Sequence, residues 1–478
     1  SNFTHQLFYC HTLNVRLRFL GGAKSVTGSK YLLEIDNAKI SYKLLIDCGL
    51  FQGLKDLRLR NWEEFPLNPK LINAVIISHA HIDHTGYLPK IFKEGYKGKV
   101  YCTQATKELM EIMLLDSAKL QEEEAEYAFK KGYSKHEKPQ PLYTTEDVSY
   151  TLSFLNGHPY KEKIKISPEI TVEFHDAGHI LGSAIVEIYL AGDNQKKKLV
   201  FSGDLGRYNK PILRNPQAIT SADILMVEST YGNKENPVDN PKEALADAIN
   251  NAFDKGGCVL IPAFAVGRTQ TLIYYFKQLI EERKIPSVPI FVDSPMGISA
   301  TGIYKRNKIF HTMNDDAVSI FNYQNIRYCR SQQESIAINN IKNRCIIISS
   351  SGMCNGGRIL HHLYNRLPKP NDTVLFVGYQ SEGTRGRKIL DGEKTTRIFG
   401  EEVEVKCNIV HLDGLSAHAD KNELFKWLKN FKSAPKQTFT VHGETESMNL
   451  YAQNIRNTFG WNVTVPEYLE SFELFKGI

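Results

Sequence analysis

The sequence of 478 residues offers little for disulfide bonding or for thiolate ligation of a metal. Its eight cysteines are scattered along the chain, and no two of them form a CxxC pair. Scattered cysteines of this kind are typical of reduced thiols, which are the rule in a cytoplasm. We therefore expect a cytoplasmic protein in which any metal ion is held by residues other than cysteine.

Hydrophobic runs are short throughout the chain. No apolar stretch approaches the roughly 20 residues that a helix needs to cross a bilayer, and no signal peptide opens the sequence. A hydrophobic fraction of 42% and a charged fraction of 23% are typical of a globular protein with an ample core. At this length we expect two or three domains and no membrane partner.

An excess of one charge sign is also missing. The chain has 59 Lys and Arg residues against 53 Asp and Glu residues, which gives a net charge of only +6. Such mild basicity permits an anionic polymer as substrate but does not require one. Because no internal repeat or low-complexity segment divides the chain, the simplest architecture is one α/β domain interrupted by another.

The first part of the chain has the patterns of short strands and of one long helix. Four segments that are rich in β-branched or aliphatic residues predict strands, namely VRLRFL, KYLLEI, KISYKLLID and INAVIIS. Apolar residues at spacings of three and four predict a helix over residues 105–131. Residues 136–147 are typical of a loop that leads into a further helix, with Thr144 or Thr145 as its N-cap.

From about Ile224 the predicted strands become fully apolar and alternate with helical segments. The strands of this block are DILMVES, GGCVLIPAF, VPIFVDS, NRCIIISSS and DTVLFVGY. Buried strands that alternate with helices favour a parallel sheet covered on both faces. After residue 402 the pattern returns to mixed strands and helices. We therefore predict a first domain formed by residues 1–223 and 403–478 and a second domain formed by residues 224–402.

The segment SHAHIDHTGYLP (residues 78–89) holds three histidines and an aspartate within six positions, directly after an apolar run. Crowding imidazoles and a carboxylate at a strand end is unfavourable unless a cation gathers them. Imidazole and carboxylate together suit zinc, and also manganese or iron. Alternate residues of an extended segment point the same way, so His79 and His81 can hold one ion, while Asp83 and His84 can reach a second.

Further ligands are expected where other strands end. His179 stands in DAGHILGSA, Asp204 in VFSGDLGR and His442 in TFTVHGE, each directly after an apolar strand. A carboxylate in such a place can bridge two metals about 3.5–4 Å apart. Asp47, in LLIDCGLFQG, fits better as an outer partner that orients a ligand or a bound water. Each residue alone could be a capped turn or a core polar group, but the repeated pattern favours a common site.

The order and context of these residues resemble the metallo-β-lactamase fold. The resemblance is carried by Asp47, the motif at residues 79–84, His179 and Asp204. It extends over nearly everything from about Val15 onward, including the segments GGAKSVTGSKYLLE and DAGHILGSA. It implies an αββα sandwich as the first domain of an α/β protein.

The second block resembles the β-CASP insert of the nucleic-acid-processing members of that superfamily. Its three marks match Glu228 in MVESTYG, His418 in GLSAHAD and His442 in VHGE. The chain is similar to the RNA-cleaving endonuclease branch, which includes the catalytic subunit of the eukaryotic pre-mRNA 3′-end cleavage machinery and shorter prokaryotic relatives. This resemblance implies that a β-CASP domain with a mainly parallel, helix-covered sheet interrupts the sandwich.

The resemblance also implies two Zn²⁺ ions per chain and a role for each residue of the site. The implied ligands are His79, His81 and His179 for the first ion, Asp83, His84 and His442 for the second, and Asp204 as a bridge to both. A hydroxide between the ions would attack phosphorus, because two Lewis acids lower its pKa. His418, oriented by Glu228, would donate a proton to the departing ribose oxygen. The implied catalytic residues are Asp83, Glu228 and His418.

Three Gly-Arg loops predict where an anionic chain is held. They contain Arg268 in PAFAVGRTQT, Arg358 in SSSGMCNGGRILHH, and Arg385 and Arg387 in GYQSEGTRGRK. Amides and the helix dipole at a strand-to-helix junction favour phosphate. One such loop is commonly just a turn, but three at equivalent ends of a parallel sheet indicate the crevice where such sheets bind ligands. We therefore predict that these arginines contact backbone phosphates.

The leading prediction is a zinc-dependent phosphodiesterase that cleaves RNA endonucleolytically. The alternatives are an RNA exonuclease, a DNA nuclease of the same superfamily and a non-catalytic RNA-processing partner. Among relatives, the DNA-processing branch usually has an aliphatic residue at the position of His442, so a histidine there favours RNA. The intact ligand set argues against a non-catalytic partner. The sequence predicts no small-molecule cofactor beyond metal, leaves a homodimer open and does not identify the RNA target.

Overall fold

The computed structural model describes residues 12–131, 139–193, 195–236, 240–313 and 319–478. The strands in these ranges are β1 Asn14–Phe19, β2 Tyr31–Asp36, β3 Ser41–Ile46, β4 Ala74–Ile76, β5 Lys99–Thr103, β6 Leu155–His158, β7 Ile164–Lys165, β8 Ile170–Asp176, β9 Ala184–Ala191, β10 Lys196–Phe201, β11 Ile224–Glu228, β12 Val259–Pro262, β13 Ile290–Asp293, β14 Ile326–Tyr328, β15 Ile346–Ser349, β16 Thr373–Phe376, β17 Thr395–Ile398, β18 Glu401–Glu404, β19 Asn408–His411, β20 Gln437–Val441, β21 Val463–Thr464 and β22 Ser471–Phe475. The helices are α1 Lys55–Leu59, α2 Ile82–Thr85, α3 Leu88–Lys93, α4 Gln104–Lys131, α5 Thr145–Leu152, α6 Pro241–Asp254, α7 Arg268–Glu281, α8 Pro295–Arg306, α9 Gln332–Ala337, α10 Ile359–Arg366, α11 Arg385–Leu390, α12 Lys421–Leu428 and α13 Thr445–Phe459.

The local predictions for the first part of the chain are confirmed. The four predicted strands are β1 to β4, and the predicted long helix is α4. Helix α5 begins after Thr144, whose side chain accepts a hydrogen bond from the backbone of Asp147 while the Asp147 carboxylate accepts one from the backbone of Thr144. Such a capping box satisfies amides that the first helical turn leaves unpaired. The first three residues of the predicted loop, 136–138, lie outside the described residues.

Two seven-stranded sheets pack face to face and form the first domain. The first sheet has the order β22-β1-β2-β3-β4-β5-β6, and the second has the order β21-β20-β11-β10-β9-β8-β7. Alternate apolar side chains of the two inner faces meet between the sheets. The ring of Phe19 lies 5.1 Å from that of Phe439, and the ring of Tyr31 lies 5.2 Å from that of Phe201, measured between centroids.

Helices cover the outer face of each sheet. Leu109 of α4 packs in the same cluster as Val75 of β4, outside the first sheet. Trp427 of α12 and Ile455 of α13 pack against Leu225 of β11, outside the second. The layers are therefore helix, sheet, sheet, helix, and the predicted αββα sandwich is confirmed.

The second domain is built on a six-stranded sheet in which all neighbouring strands are parallel. Its order is β14-β13-β15-β12-β16-β19. One face packs on α6, α7 and α8 through residues such as Ile249 and Phe276, and the other packs on α10 and α11 through residues such as Leu363 and Ile389. Coverage of both faces explains why these strands are apolar along their whole length.

Two strands lie in a different sheet from the one that their sequence position predicts. Strand β11, which was expected to open the second domain, lies instead in the second sheet of the sandwich, between β10 and β20. Strand β19, which was expected in the sandwich, lies at the edge of the parallel sheet beside β16. Both of the pairings of β11 are parallel, and all five of its residues are buried. Such a strand cannot be told from a strand of the insert by its sequence.

All seven cysteines among the described residues are free and buried, as expected for reduced thiols. In the same part of the chain, none of the helices combines the length and the apolar character that a bilayer crossing would require.

The backbone of Gly49 lies directly against the backbone of the metal-ligand motif. A Cβ at this position would lie 1.6 Å from the carbonyl oxygen of Asp83. The neighbouring amides of Cys48 and Leu50 donate hydrogen bonds to the carbonyls of His84 and Ile82, at 2.8 and 3.0 Å. The glycine therefore lets the segment after β3 lie directly on helix α2.

We expect Gly49→Ala to destabilise the protein by about 1–3 kcal/mol, because the methyl group would force this backbone away from α2. Gly356→Ala is the matched control, since a Cβ there meets no atom within 4 Å. Thermal unfolding of both variants measures the effect. Equal midpoints for the two variants would contradict the claim that this contact is tight.

Candidate metal centre

The predicted ligand motif lies at the carboxyl end of β4. After this strand the chain is extended through His79 and His81 and then turns into α2, which carries Asp83 and His84. His79 and His84 are fully buried, while His81 and Asp83 are partly exposed toward the edge of the sandwich. The extended part and the helical turn therefore direct the two pairs of side chains to neighbouring places.

Four of the predicted ligands form a first group, in which one atom of each residue lies within 4.8 Å of the others. The group consists of His79, His81, His179 and Asp204. His179 comes from the loop between β8 and β9, and Asp204 follows β10. His179 Nε2 lies 3.2 Å from His81 Nδ1, and Asp204 Oδ2 lies 3.5 Å from His79 Nε2 and 3.8 Å from His179 Nε2.

A second group shares Asp204 with the first. It consists of Asp83, His84, Asp204 and His442, and the last of these follows β20. His84 Nε2 lies 3.4 Å from Asp83 Oδ2 and 3.3 Å from Asp204 Oδ2. His442 Nε2 lies 3.0 Å from Asp83 Oδ2. The structure thus brings together all seven residues that the sequence singled out as ligands.

Outer partners fix the orientation of the imidazoles. Asp47 Oδ2 accepts from His84 Nδ1 at 2.6 Å, and Ser78 Oγ lies 3.0 Å from His79 Nδ1. Ser78 in turn donates its backbone N–H and its hydroxyl to the Asp47 carboxylate. With Nδ1 engaged in this way, Nε2 of each ring keeps a lone pair for the interior of the group.

The same arrangement holds for two imidazoles on the opposite side of the site. The backbone carbonyl of Ala417 lies 3.2 Å from His179 Nδ1, and Thr230 Oγ1 lies 2.9 Å from His442 Nδ1. His179 therefore presents its Nε2 to Asp204, and His442 presents its Nε2 to Asp83. Asp47 was predicted as an outer partner, whereas Ser78, Thr230 and Ala417 were not.

Burial shifts the protonation equilibria of the first group toward neutral imidazole. It lowers the pKa of His79 and of His179 well below the ordinary value, and the neighbouring imidazoles His84 and His418 add to this effect. Burial also lowers the pKa of His81 to about 4, against the opposing pull of nearby carboxylates. Neutral imidazole is the form that binds metal.

The second group is more polarised. Burial would raise the pKa of Asp204, but the imidazoles of His442, His84 and His79 outweigh it and hold that pKa well below the ordinary value. Burial would lower the pKa of His84, but Asp204, Asp83 and Asp47 together raise it well above the ordinary value. A metal ion at His84 would therefore displace a proton from it.

The residues present fit metal ions. His79 Nε2, His84 Nε2 and Asp204 Oδ1 are buried and have no hydrogen-bond partner among the described residues, although unpaired buried polar atoms are rare in proteins. Zinc bonds of about 2.0–2.1 Å to nitrogen and oxygen imply separations of about 3.3 Å between tetrahedral ligands. The separations within both groups are close to this value. Both groups therefore have the donor atoms and the spacing that a divalent metal ion requires.

His418 lies beside both groups without belonging to either. Its Nε2 is 4.0 Å from Asp204 Oδ2, and its Nδ1 is 3.3 Å from Glu228 Oε1. Glu228 is fully buried at the end of β11 and also accepts from the backbone amides of Leu205 and Thr230. Burial would lower the pKa of His418, but the Glu228 carboxylate outweighs it and raises the pKa above its ordinary value.

The three Gly-Arg loops follow β12, β15 and β16, which are neighbours in the third sheet. Arg268 is the first residue of α7 and is 8% exposed. Phe264, in the same loop, lies 5.7 Å from His81 between ring centroids. This edge of the second domain therefore lies against the metal centre.

The guanidinium groups of the other three arginines make contacts with residues of the second domain. Arg358 Nη1 lies 2.6 Å from the buried carboxylate of Asp293 and also donates to a backbone carbonyl. Arg385 donates to the carbonyl oxygens of Cys354 and Arg397. Arg387 pairs with the carboxylate of Asp391, the residue directly after its own helix. Their predicted contacts with phosphate stay predictions.

A third group with metal-ligand chemistry lies on β8 and β9 and consists of Glu173, His175 and Glu187. His175 Nε2 is 3.1 Å from Glu187 Oε2 and 3.3 Å from Glu173 Oε1. Lys198 Nζ lies 3.1 Å from Glu187 Oε1 and already supplies positive charge to these carboxylates. The two carboxylates therefore already have a cationic partner among the described residues.

Models of three protein families match the chain. Residues 32–223 match a metallo-beta-lactamase superfamily domain, and residues 269–389 match a Beta-Casp domain. Residues 402–466 match a domain described as a Zn-dependent metallo-hydrolase RNA specificity domain. The matched ranges follow the order of sandwich, insert and returning sandwich that the fold displays.

Several proteins are similar to this chain over most of its length. It is 34% identical over 440 residues to Ribonuclease TTHA0252 of Thermus thermophilus, which covers 91% of this chain and 94% of that protein. It is 30% identical over 465 residues to the RNase J-like protein of Methanocaldococcus jannaschii, with 95% and 98% coverage. It is also 34% identical over 453 residues to the transcription termination factor FttA of Methanosarcina mazei, with 91% and 67% coverage.

A solved structure of a protein of unknown function from Enterococcus faecalis shares the fold. It has a TM-score of 0.52 at 13% sequence identity, and the match covers 96% of this chain and 100% of that one. A likeness at this identity concerns the fold alone. The sequence relatives, together with the two matched domains and the assembled ligand groups, establish that the chain belongs to the β-CASP ribonuclease family of the metallo-β-lactamase superfamily.

Proposed function

We propose that this protein is a zinc-dependent phosphodiesterase that cleaves RNA at internal bonds. One observation carries the proposal: His418 Nε2 lies 4.0 Å from Asp204, the carboxylate that both ligand groups share. A phosphate at Asp204 would lie between the metal ligands and a proton donor. Among the described residues, His418 is the one imidazole outside the ligand groups that lies within 4.0 Å of an Asp204 oxygen.

RNA as the substrate is supported by the relatives and by the C-terminal match. Two of the similar proteins are named as a ribonuclease and as RNase J-like, and residues 402–466 match a domain described by its RNA specificity. His442, whose imidazole completes the second ligand group, lies inside that matched range. RNA is therefore the polymer that we expect at this site.

The ligand groups would hold two divalent ions. When bound, such ions supply Lewis acidity that lowers the pKa of a water and neutralises charge on phosphate oxygens. The protein's part is to hold the imidazoles in a fixed orientation, which Asp47 and Ser78 do for His84 and His79. Because Asp204 is buried, water has little access to displace this shared carboxylate from the ions.

His418 is the proposed general acid for the departing ribose oxygen. An alkoxide is a poor leaving group in water, so a proton supplied as the P–O bond breaks accelerates its departure. Glu228 favours the protonated form of His418 by raising its pKa, and the two backbone amides that bind Glu228 keep its carboxylate in place. Glu228 is thus a positioning residue for the acid.

The strand ends after β12, β15 and β16 are the proposed binding surface for the rest of the strand. Arg268, Arg358, Arg385 and Arg387 lie on these three neighbouring ends. The helices that begin there direct the positive ends of their dipoles to the same edge. We expect these groups to hold backbone phosphates without selecting a base sequence.

Incubation of metal-loaded protein with linear and circular RNA, and with DNA of the same sequence, tests the function and its mode. We expect cleavage of circular RNA, which offers no end, and little cleavage of DNA. Cleavage restricted to linear RNA with release of single nucleotides would indicate an exonuclease. Preferential cleavage of DNA would contradict the proposed substrate.

Purified wild-type protein is expected to contain about two zinc ions per chain. Asp204→Ala should lose most of both, because Asp204 belongs to both ligand groups. Asp47→Ala should weaken metal affinity by about 10–100-fold, since it only releases the orientation of His84. Elemental analysis after dialysis against buffered zinc measures all three proteins.

Asp254→Ala, an exposed change at the end of α6, is the control and should keep the wild-type metal content. One ion or none in wild-type protein that has never met a chelator would refute the two-ion centre. Full occupancy in Asp204→Ala would refute the shared ligand.

His418→Ala is expected to lower the rate on RNA by about 10²–10⁴-fold while the zinc content stays near that of wild type. The wild-type rate should fall as the pH rises through the pKa of His418, because only the protonated imidazole can donate. Glu228→Gln should move this fall to lower pH, since it removes the charge that raises that pKa. Rate profiles against pH measure both effects.

An RNA mimic with a nitrophenolate leaving group separates acid catalysis from positioning. Such a group departs without a proton, so the defect of His418→Ala should shrink on this substrate. An equal defect on both substrates, or loss of a zinc ion from the variant, would show that His418 is not the general acid.

A further inference from the structure

A pocket opens beside the metal centre on the side of His179. Its walls include Arg207 and Lys210 from the segment after β10, Arg268 from the start of α7, and Ala417 from the loop that carries His418. The pocket is therefore formed by both domains together. Its lining connects a proposed metal ligand, the loop of the proposed acid and three cations.

Arg268 is a buried cation that makes no ion pair with any residue in the described part of the chain. Its side chain is 8% exposed, and its Nε is buried without a hydrogen-bond partner among the described residues. Burial lowers its pKa to about 10, and the neighbouring Arg207 adds to this effect. Leaving a buried guanidinium unpaired is unfavourable, so the position favours an anion that arrives with a ligand.

The other two cations that line the pocket, Arg207 and Lys210, are fixed by hydrogen bonds. Arg207 donates to the carboxylate of Glu423 at 2.7 Å and to the carbonyl oxygen of Gly414 at 3.1 Å. Lys210 donates to the same carbonyl at 2.9 Å, and burial together with Arg207 and Arg268 lowers its pKa to about 7. Glu423 and Asp420, which both lie within 4.0 Å of Arg207, leave one positive charge in excess when all three cations are protonated, and Arg268 makes no ion pair with a described residue.

Helix α7 increases this excess. Arg268 is its first residue, so the unpaired guanidinium stands at the positive end of the dipole of a 14-residue helix. A cation in this place is disfavoured, whereas an anion is favoured. Two independent features, an unpaired buried cation and the helix that begins at it, thus demand negative charge in the same pocket.

We propose that the pocket binds the internucleotide phosphate next to the scissile one, on the side of the leaving group, with Arg268 and Lys210 as its contacts. This inference rests on the proposed function. We assign the pocket to the leaving-group side of the scissile bond because one loop contains both His418, the proposed proton donor to the leaving group, and part of the pocket wall. The same loop contains Gly414, whose carbonyl binds Lys210. A phosphodiester carries one negative charge and several acceptor oxygens, which match the donors of a guanidinium.

Site-specific charge neutralisation tests the assignment. A series of RNA oligonucleotides carries one neutral methylphosphonate linkage, placed at each position around a mapped cleavage site. For wild-type protein we expect kcat/KM to fall about 10–100-fold when the neutral linkage is next to the cleaved bond on the leaving-group side. The same linkage should add less than about a twofold further loss in Arg268→Gln or in Lys210→Gln, because the partner charge is already missing.

Lys196→Gln is the matched control, because Lys196 is an exposed cation at the opposite end of β10 from Asp204. It should retain the full penalty at the same linkage. The melting midpoint of Arg268→Gln without RNA should be no lower than that of wild type, since the change removes an unpaired buried charge. A residue with a purely structural role would instead lose stability on substitution.

The outcomes separate the two proposals. If wild-type protein neither binds nor cleaves the unmodified RNA, the proposed function fails and the pocket assignment fails with it. If it cleaves RNA but the penalty at the chosen linkage is the same in Arg268→Gln, only the pocket assignment is overturned. If kcat/KM falls only when the terminal 5′-phosphate is replaced by a 5′-hydroxyl, and not when an internal linkage is neutralised, the pocket holds a chain end. The internucleotide assignment is then wrong.

Discussion

The carboxylate of Asp204 is surrounded by imidazoles, and the arrangement of the site follows from that contact. Asp204 is 1% exposed, and His79, His84, His179 and His442 all lie within 4 Å of its oxygens. An ionised carboxylate at this depth requires positive charge nearby, either from protonated imidazoles or from metal ions. The low pKa of the imidazoles in the first group means that protons are a poor solution there, which leaves metal ions as the counter-charge that suits both groups.

The strands that meet at this carboxylate come from distant parts of the chain. Asp204 follows β10, Glu228 is the last residue of the neighbouring β11, and His442 follows β20 on the other side of β11. A loop after β19 then reaches back to the site, where its Ala417 carbonyl orients His179 and its Gly414 carbonyl binds two cations of the pocket. The metal ligands, the proton donor and the proposed phosphate pocket therefore share contacts with one loop, residues 412–420.

Most of the ligand set could be predicted from the sequence because ligands at strand ends leave a local signal. His179, Asp204 and His442 each follow an apolar strand, and the motif at residues 79–84 is dense enough to recognise alone. The outer partners Ser78 and Thr230 stand next to predicted residues, so proximity in sequence was the one available sign. The carbonyl of Ala417 carries no sequence signal at all, and Arg207 and Lys210 look like surface cations until the fold closes a pocket around them. The sheet of β11 was not predictable either, since a strand buried on both faces has the same composition in either domain.

The last residue of the second ligand group is synthesised long after the first. Asp83 and His442, whose side chains meet at 3.0 Å, are separated by 359 residues. At a synthesis rate of about 5–20 residues per second, a ribosome needs about 20–70 s to pass from one to the other. During that interval the nascent chain carries an incomplete second ligand group, and the whole insert must emerge before β20 can pair with β11. The second ligand group is therefore complete only after His442 has left the ribosome and β20 has paired with β11.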